Sequence, residues 1–253
     1  MAVPKILHQV WIGGEIPFDY LASALHFKQL NPEYEYMLWD DSNVPVSRFP
    51  EIYNSFNMLQ FKSDLIRYEI LNKYGGVYAD FDIVWIKPIN ELVKNKPFLF
   101  AKEYPKKSDH SLTNCLIATE SNSQIMSSIF DRIPEEWERH KSQGLKEIDF
   151  GHRVTGPWMV TKLCREKHPE AWYKDLLMAT IYPSFMLKKG MRRLGDLPQN
   201  SYGIHCVNHA GELWKAMTRR SNLARDMIRE LPTWGEAYAA KDNTSDLVRK
   251  LRS

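Results

Sequence analysis

Two aspartates one residue apart, Asp80 and Asp82, stand at the end of the apolar run Val77-Tyr78-Ala79, with Phe81 between them. Carboxylates so paired suit a hard divalent cation, which takes oxygen ligands and keeps coordination positions open for phosphate oxygens. In extended backbone, residues i and i+2 point to one side. The spacing therefore predicts that both carboxylates share one cation, as in a metal-bridged diphosphate, while Phe81 faces the core. An Asp-x-Asp alone is a common accident of sequence, so its neighbours carry the weight. Tyr74-Gly75-Gly76 closes a helical pattern, and Val77-Tyr78 feeds a buried strand into the carboxylates.

The elements that must hold this doublet are legible around it. Leu59, Leu65, Ile66, Ile70 and Leu71 recur with helical spacing, and Gly75 falls where a left-handed cap is wanted. Asp64 and Arg67, three apart on that helix, share a face. Residues 5–12 read as a first buried strand closed by Gly13-Gly14, 20–30 as a helix, and 34–39 as a strand after the Asn31-Pro32 turn. Further strands are expected over 77–81, 98–101, 114–118, 178–187 and 202–207, and helices over 123–140, 158–166, 216–231 and 244–251. This alternation predicts an α/β fold whose mostly parallel, Rossmann-like sheet is flanked by helices, with ligand loops at the carboxyl ends of the strands. The doublet lies at such an end.

A chain of 253 residues, 43% hydrophobic, can bury one sizeable core. The expected division is one domain over residues 1–215 and a C-terminal helical extension over 216–253. A net charge of +3, from 34 basic and 31 acidic residues, gives no general field for polyanions and argues against nucleic acid as a partner. Cys115, Cys164 and Cys206 are odd in number, far apart and without a C-x-x-C pair, which argues against a disulfide framework or a zinc site and fits a reducing compartment. The first apolar stretch is short, contains His8 and Gln9, and lacks a small-residue cleavage site. No run reaches the roughly 20 apolar residues that span a bilayer. A cytoplasmic location with at most peripheral membrane contact is therefore expected.

Taken in order, Leu7-His8-Gln9-Val10-Trp11-Ile12-Gly13-Gly14, Asn31-Pro32-x-Tyr34, Leu38-Trp39-Asp40-Asp41, Lys62-Ser63-Asp64-Leu65-x-Arg67-Tyr68 and Tyr-Gly-Gly-x-Tyr-x-Asp-x-Asp form a specific combination. It resembles the family of Asp-x-Asp sugar transferases that includes the outer-chain mannosyltransferases and, more distantly, the glucosylating domain of the large cytotoxins. The resemblance is clear over residues 3–90 and fainter to Trp214. It implies a GT-A fold, a UDP- or GDP-sugar donor, a divalent metal (Mn2+ or Mg2+), and transfer with retention to a glycan, lipid-linked sugar or protein acceptor. Carried over by motif, Val10 and Trp11 border the nucleobase, Ser63, Asp64 and Arg67 hold the donor sugar and phosphates, and Tyr78 and Asp80 reach the ribose and sugar. Asp82 is the principal metal ligand. The late His209-Ala-Gly-Glu-Leu-Trp214 matches an element whose His completes the metal shell and whose Trp caps the phosphates, with His205 as a competing ligand. Asn114 and the Thr155-Gly156-Pro157 turn match looser positions near the transferred sugar.

The chemistry so implied is leaving-group departure, in which a metal and fixed cations stabilise a diphosphate more in the transition state than in the ground state. Asp80, Asp82 and Arg67 are the candidate catalytic residues, and Lys188, Lys189, Arg192 and Arg193 a basic cluster that can assist. No further carboxylate stands out as a covalent nucleophile, so front-face attack by an acceptor hydroxyl is expected from the resemblance. Two rival readings are set beside it. Asp80-Phe81-Asp82-Ile83-Val84 also fits the nucleophile motif of haloacid-dehalogenase-type phosphatases, although the residues after it do not continue that pattern. The other rival is a non-catalytic nucleotide-sugar-binding module.

Overall fold

The computed structural model describes residues 2–102, 112–168, 181–183, 199, 201–206 and 243–253. Five strands form the main sheet: β1 (Ile6–Val10), β2 (Glu35–Trp39), β3 (Gly76–Ala79), β5 (Phe98–Lys102) and β6 (Leu112–Thr119), in the order β2-β1-β3-β6-β5. β1 pairs in parallel with β2 and β3, β6 runs antiparallel to β3, and β5 antiparallel to β6. Four of the five strands thus share a direction and β6 alone opposes them, the mostly parallel sheet expected from the alternation. β4 (Ile83–Trp85) leaves this sheet for a second one of order β4-β8-β7, with β7 over Ile181–Pro183 and β8 over Gly203–His205.

The period of two sorts the strands onto two cores. Val10, Trp39, Tyr78, Phe100 and Ile117 join one cluster with α3 (Leu59–Tyr74), α5 (Gln124–His140) and α7 (Pro157–Lys167). Leu7, Val77, Ala79, Leu99, Leu116 and Ala118 point the other way, onto Phe27 of α1 (Phe18–Leu30) and Trp85 of β4, whose rings stack at 4.4 Å. The helix expected from residue 123 starts with Ser123 as its cap, the hydroxyl accepting from the Met126 N–H. Shorter helices, α2 (Pro50–Ser55), α4 (Asn90–Val93) and α6 (Glu147–Val154), carry too few periodic residues to be read from sequence. The last helix, here α8 (Thr244–Arg252), packs on α1 and β2 and buries Leu247 and Leu251.

The glycine pair before the doublet has two separate duties. Gly75, at φ +63°, ends α3 with its N–H on the Leu71 carbonyl. Gly76, at φ +94°, lets β3 come against β1 so closely that a Cβ there would lie 2.6 Å from the Ile6 carbonyl oxygen. The doublet itself departs from expectation. The strand read over 77–81 ends at Ala79, and Asp80, Phe81 and Asp82 form a turn in which the Ile83 N–H reaches the Asp80 carbonyl at 3.4 Å. The reason is where the backbone donors go: Asp80 N–H makes a last rung with the Cys115 carbonyl at 2.8 Å, and the Asp82 carbonyl then accepts from Cys206 N–H at 2.8 Å, beside β8. Phe81 does face the core, edge-on to Trp11 at 5.6 Å. The helix expected over 216–231, and the parts of the 178–187 strand beyond 181–183, lie outside the described residues.

Candidate active site

Four segments meet at the carboxyl end of β3. α3 contributes Ser63, Asp64 and Arg67, β3 and its turn contribute Tyr78, Asp80 and Asp82, β6 contributes Asn114, and the α6–α7 link contributes Thr155. Arg67 is the hub. Its guanidinium lies 3.1 Å from Asp64 Oδ1 and 3.2 Å from Asp80 Oδ1. It also donates to the Asn114 carbonyl at 2.6 Å and covers the Tyr78 ring at 4.4 Å. Ser63 sits one turn earlier, its hydroxyl 3.5 Å from Arg67 Nη2. Asp64 is held from both sides: Asn114 Nδ2 donates to Oδ1 at 2.8 Å and Thr155 Oγ1 to Oδ2 at 3.0 Å. Tyr78 donates its hydroxyl to Asp80 Oδ1 at 2.6 Å.

On the other side of the turn, His205 of β8 puts Nε2 3.3 Å from Asp82 Oδ1. One ligand atom from each of Asp80, Asp82 and His205 lies within 4.8 Å of the others. Three carboxylates therefore share a largely buried space with one guanidinium and one imidazole. Burial pushes Asp64 up to about 7, with Arg67 pulling it back and Asp80 adding to the rise. Burial raises Asp80 too, against Arg67 and with Asp82. In Asp82 burial acts upward, but His205, a backbone N–H and Arg67 together outweigh it and hold the carboxyl below its usual range. For His205, burial acts downward while Asp82 and then Cys115 outweigh it and hold the imidazole well above its usual range. Burial likewise disfavours the Arg67 charge, and Asp80, Tyr78 and Asp64 restore it.

A divalent cation fits this group. Among the described residues Asp82 Oδ1 is a buried acceptor that His205 Nε2 approaches at 3.3 Å as an ion pair without the geometry of a hydrogen bond, and two carboxylates with an imidazole make a donor set suited to a hard or borderline ion. The residues that would hold it are Asp80, Asp82 and His205.

Val10 is buried in the sheet's α3 face. Trp11 is half-buried just past β1, packed against Tyr20 at 5.1 Å and against Phe81 of the turn. His209, Trp214, Lys188, Lys189, Arg192 and Arg193 lie outside the described residues, so of the two competing histidines it is His205 that is seen at the doublet. Two contributors carried no assigned role in the sequence. Gln9, buried in β1, donates to the Asp80 carbonyl at 3.3 Å and accepts from the Tyr36 hydroxyl at 2.6 Å. Tyr68 bridges Asn114 Nδ2, at 3.2 Å, and the Thr155 carbonyl, at 2.7 Å. A polar residue inside a buried strand was the one available signal for Gln9; Tyr68 looks like core by its helical period.

Comparison with known proteins bears on this geometry. Residues 22–99 match the family model described as glycosyltransferase sugar-binding region containing DXD motif. Inositol phosphoceramide mannosyltransferase 3 of Schizosaccharomyces pombe is 35% identical over 88 residues, covering 32% of this chain and 25% of that protein. A glycosyltransferase of Acanthamoeba polyphaga mimivirus is 26% identical over 140 residues, 52% of this chain and 55% of the viral one. The chain thus spans about a quarter of the first relative and about half of the second. Among solved structures, PaToxG glycosyltransferase superposes with a TM-score of 0.53 at 19% identity, over 66% of this chain and 70% of that one. The fold is GT-A. The resemblance carried by the motifs is found again in the family model and in these relatives, and the phosphatase reading finds no support among them.

Proposed function

From the glycosyltransferase sugar-binding region carried over residues 22–99, we propose that this chain is a metal-dependent glycosyltransferase. It moves a sugar from a UDP- or GDP-sugar to an acceptor hydroxyl of a glycan, lipid-linked sugar or protein, with retention, in glycoconjugate synthesis. The observation that carries this reading is the convergence of Asp80, Asp82 and His205 within 4.8 Å, beside a guanidinium already shared by two carboxylates. A bound Mn2+ or Mg2+ supplies positive charge for the departing diphosphate.

The chain's own residues do the rest. Arg67 holds Asp64 and Asp80 at fixed separation and adds a permanent charge in a poorly solvated place, where it acts without reorganisation. Both Asp64 oxygens are already engaged, by Asn114 with Arg67 and by Thr155. That suits Asp64 to anchor sugar hydroxyls and not to attack as a nucleophile, in keeping with front-face attack by the acceptor. Trp11, carried against Phe81, keeps part of its indole open for a nucleobase. The transferase unit comprises residues 1–215 with the C-terminal segment packed on it, and its setting is the cytoplasm or a membrane surface. No helix among the described residues is long and apolar enough to cross a membrane.

The test is a panel of UDP- and GDP-sugars, mannose among them, assayed for hydrolysis with and without manganese. Turnover by one donor that needs the metal, lost in Asp82→Asn with the fold intact by circular dichroism, is the expected result. Donor binding with metal but neither transfer nor hydrolysis leaves a non-catalytic binding module instead.

A further inference from the structure

Large apolar side chains left exposed among the described residues are Val46, Leu59, Ile148 and Trp158, and two of these border one short stretch of chain. Ile148, His152 and Thr155 follow at i, i+4 and i+7 along α6 and its cap, so they lie along one side of the helix. The far end of that side is fixed in the candidate site, since Thr155 donates to Asp64 and accepts from Tyr68. Trp158 stands three residues further on, at the start of α7, and three residues of chain reach at most about 11 Å. Its ring lies 5.7 Å from that of His152, inclined by 33°, and 4.9 Å from the Arg153 guanidinium carbon. Even with both neighbours in place, Trp158 is 45% exposed. Arg153 Nε is buried and makes no hydrogen bond among the described residues.

Resting on the donor-site reading of Asp64 and its neighbours, we infer that Trp158, flanked by Arg153 and His152, is the platform on which a saccharide acceptor places a pyranose ring. The indole face that Arg153 does not cover takes the apolar C–H face of a sugar, while guanidinium N–H groups take the hydroxyls at its rim. An acyl chain would want a continuous apolar surface. Here the indole is bordered by a cation and a polar ring, which favours a saccharide over a lipid tail. The platform's link to Asp64 through Thr155 keeps the acceptor close to the sugar being transferred.

The test needs no turnover. In 15N-labelled protein, Trp158→Phe identifies the Trp158 indole N–H resonance by its disappearance, and the wild type is titrated with methyl glycosides of mannose, glucose and galactose. A saturable shift of that resonance with at least one glycoside is the expected result. No shift with any of the three, or a shift with dodecylphosphocholine alone, overturns the platform. In transfer assays Trp158→Ala raises the acceptor KM roughly tenfold, the size of one aromatic contact, and Trp158→Tyr recovers most of it. A glycoside shift in a protein that turns over no nucleotide sugar would keep the platform and discard the donor reading. Turnover with a silent Trp158 would do the reverse.

Discussion

At the scale of single residues, the chain's most consequential side chain is Arg67. It is the one described cation in contact with both Asp64 and Asp80, and its side chain is 5% exposed. Arg67→Ala would leave the buried Asp64 and the part-buried Asp80 without their shared partner, a loss on the order of 3–5 kcal/mol, read as a lower denaturation midpoint together with failure to bind a nucleotide sugar by calorimetry. Arg67→Lys is expected to rescue little, because a point ammonium cannot reproduce a fork spread over two carboxylates and the Asn114 carbonyl. Arg48 makes a fair control. It pairs with Glu69 and lies over Phe130 at 3.5 Å, half in water, so Arg48→Ala should cost about 1 kcal/mol or less and leave donor binding intact. Asn114→Asp puts a like charge 2.8 Å from Asp64 Oδ1. It is expected to weaken donor binding more than Asn114→Ala does, as calorimetry on the two variants would show. Arg67 and Asp64 were legible from a shared helix face, whereas Asn114 depended on a reversed strand bringing residue 114 against residue 64, which no local pattern encodes.

At the scale of elements, the site depends on how tightly β3 is set against β1. Gly76→Ala adds a Cβ at a positive φ and 2.6 Å from a backbone oxygen that cannot swing aside. A loss of at least about 1–3 kcal/mol in denaturant unfolding is expected. Beneath the same junction, His8 donates Nε2–H to the Gly75 carbonyl at 2.8 Å and accepts from Trp39 Nε1 at 3.1 Å, which leaves it neutral. Burial pushes both His8 and His26 down to about 4, against the backbone hydrogen bonds they make. The unfolded chain takes up these protons near 6.5 and the folded one only near 4. Their contribution to stability is therefore whole above about pH 6.5 and is lost as pH falls from there towards 4. Histidine C–H resonances of the folded protein should show both rings neutral at pH 5. Helix α5 was legible because Ser123 caps it and Ile125, Ile129 and Ile133 keep its period. The turn at Asp80 was not, because Tyr78, Asp80 and Asp82 alternate with Val77, Ala79 and Phe81 as a strand would, and the break is made by distant partners, Cys115 and Cys206.

For the whole molecule, the question is what keeps the doublet's turn, the Trp11 segment and β8 in one piece. They share a hydrophobic cluster: Phe81 between the aspartates, Cys206 beside His205, and Trp11 at its margin, with Leu247 and Leu251 of α8 buried among the same residues and Tyr20, Leu21 and Leu38 around them. Polar ties fasten the helix there, Lys28 donating to the Lys250 carbonyl at 2.9 Å and Arg252 pairing with Asp40. The ties are solvent-exposed and contribute little by themselves. Burial of the two leucines contributes more, and it comes from the end of the sequence to support chemistry placed near residue 80. Leu251→Ala should then cost about 2–5 kcal/mol, whereas Arg252→Ala should cost under about 1 kcal/mol. If the cluster supports the turn, Leu251→Ala should also weaken manganese binding, followed by the ion's paramagnetic resonance, at temperatures where the protein is still fully folded. A variant that loses stability but binds manganese as the wild type does would make α8 a prop for the fold alone, with the turn held by Cys115 and Cys206 and by its own ion pairs.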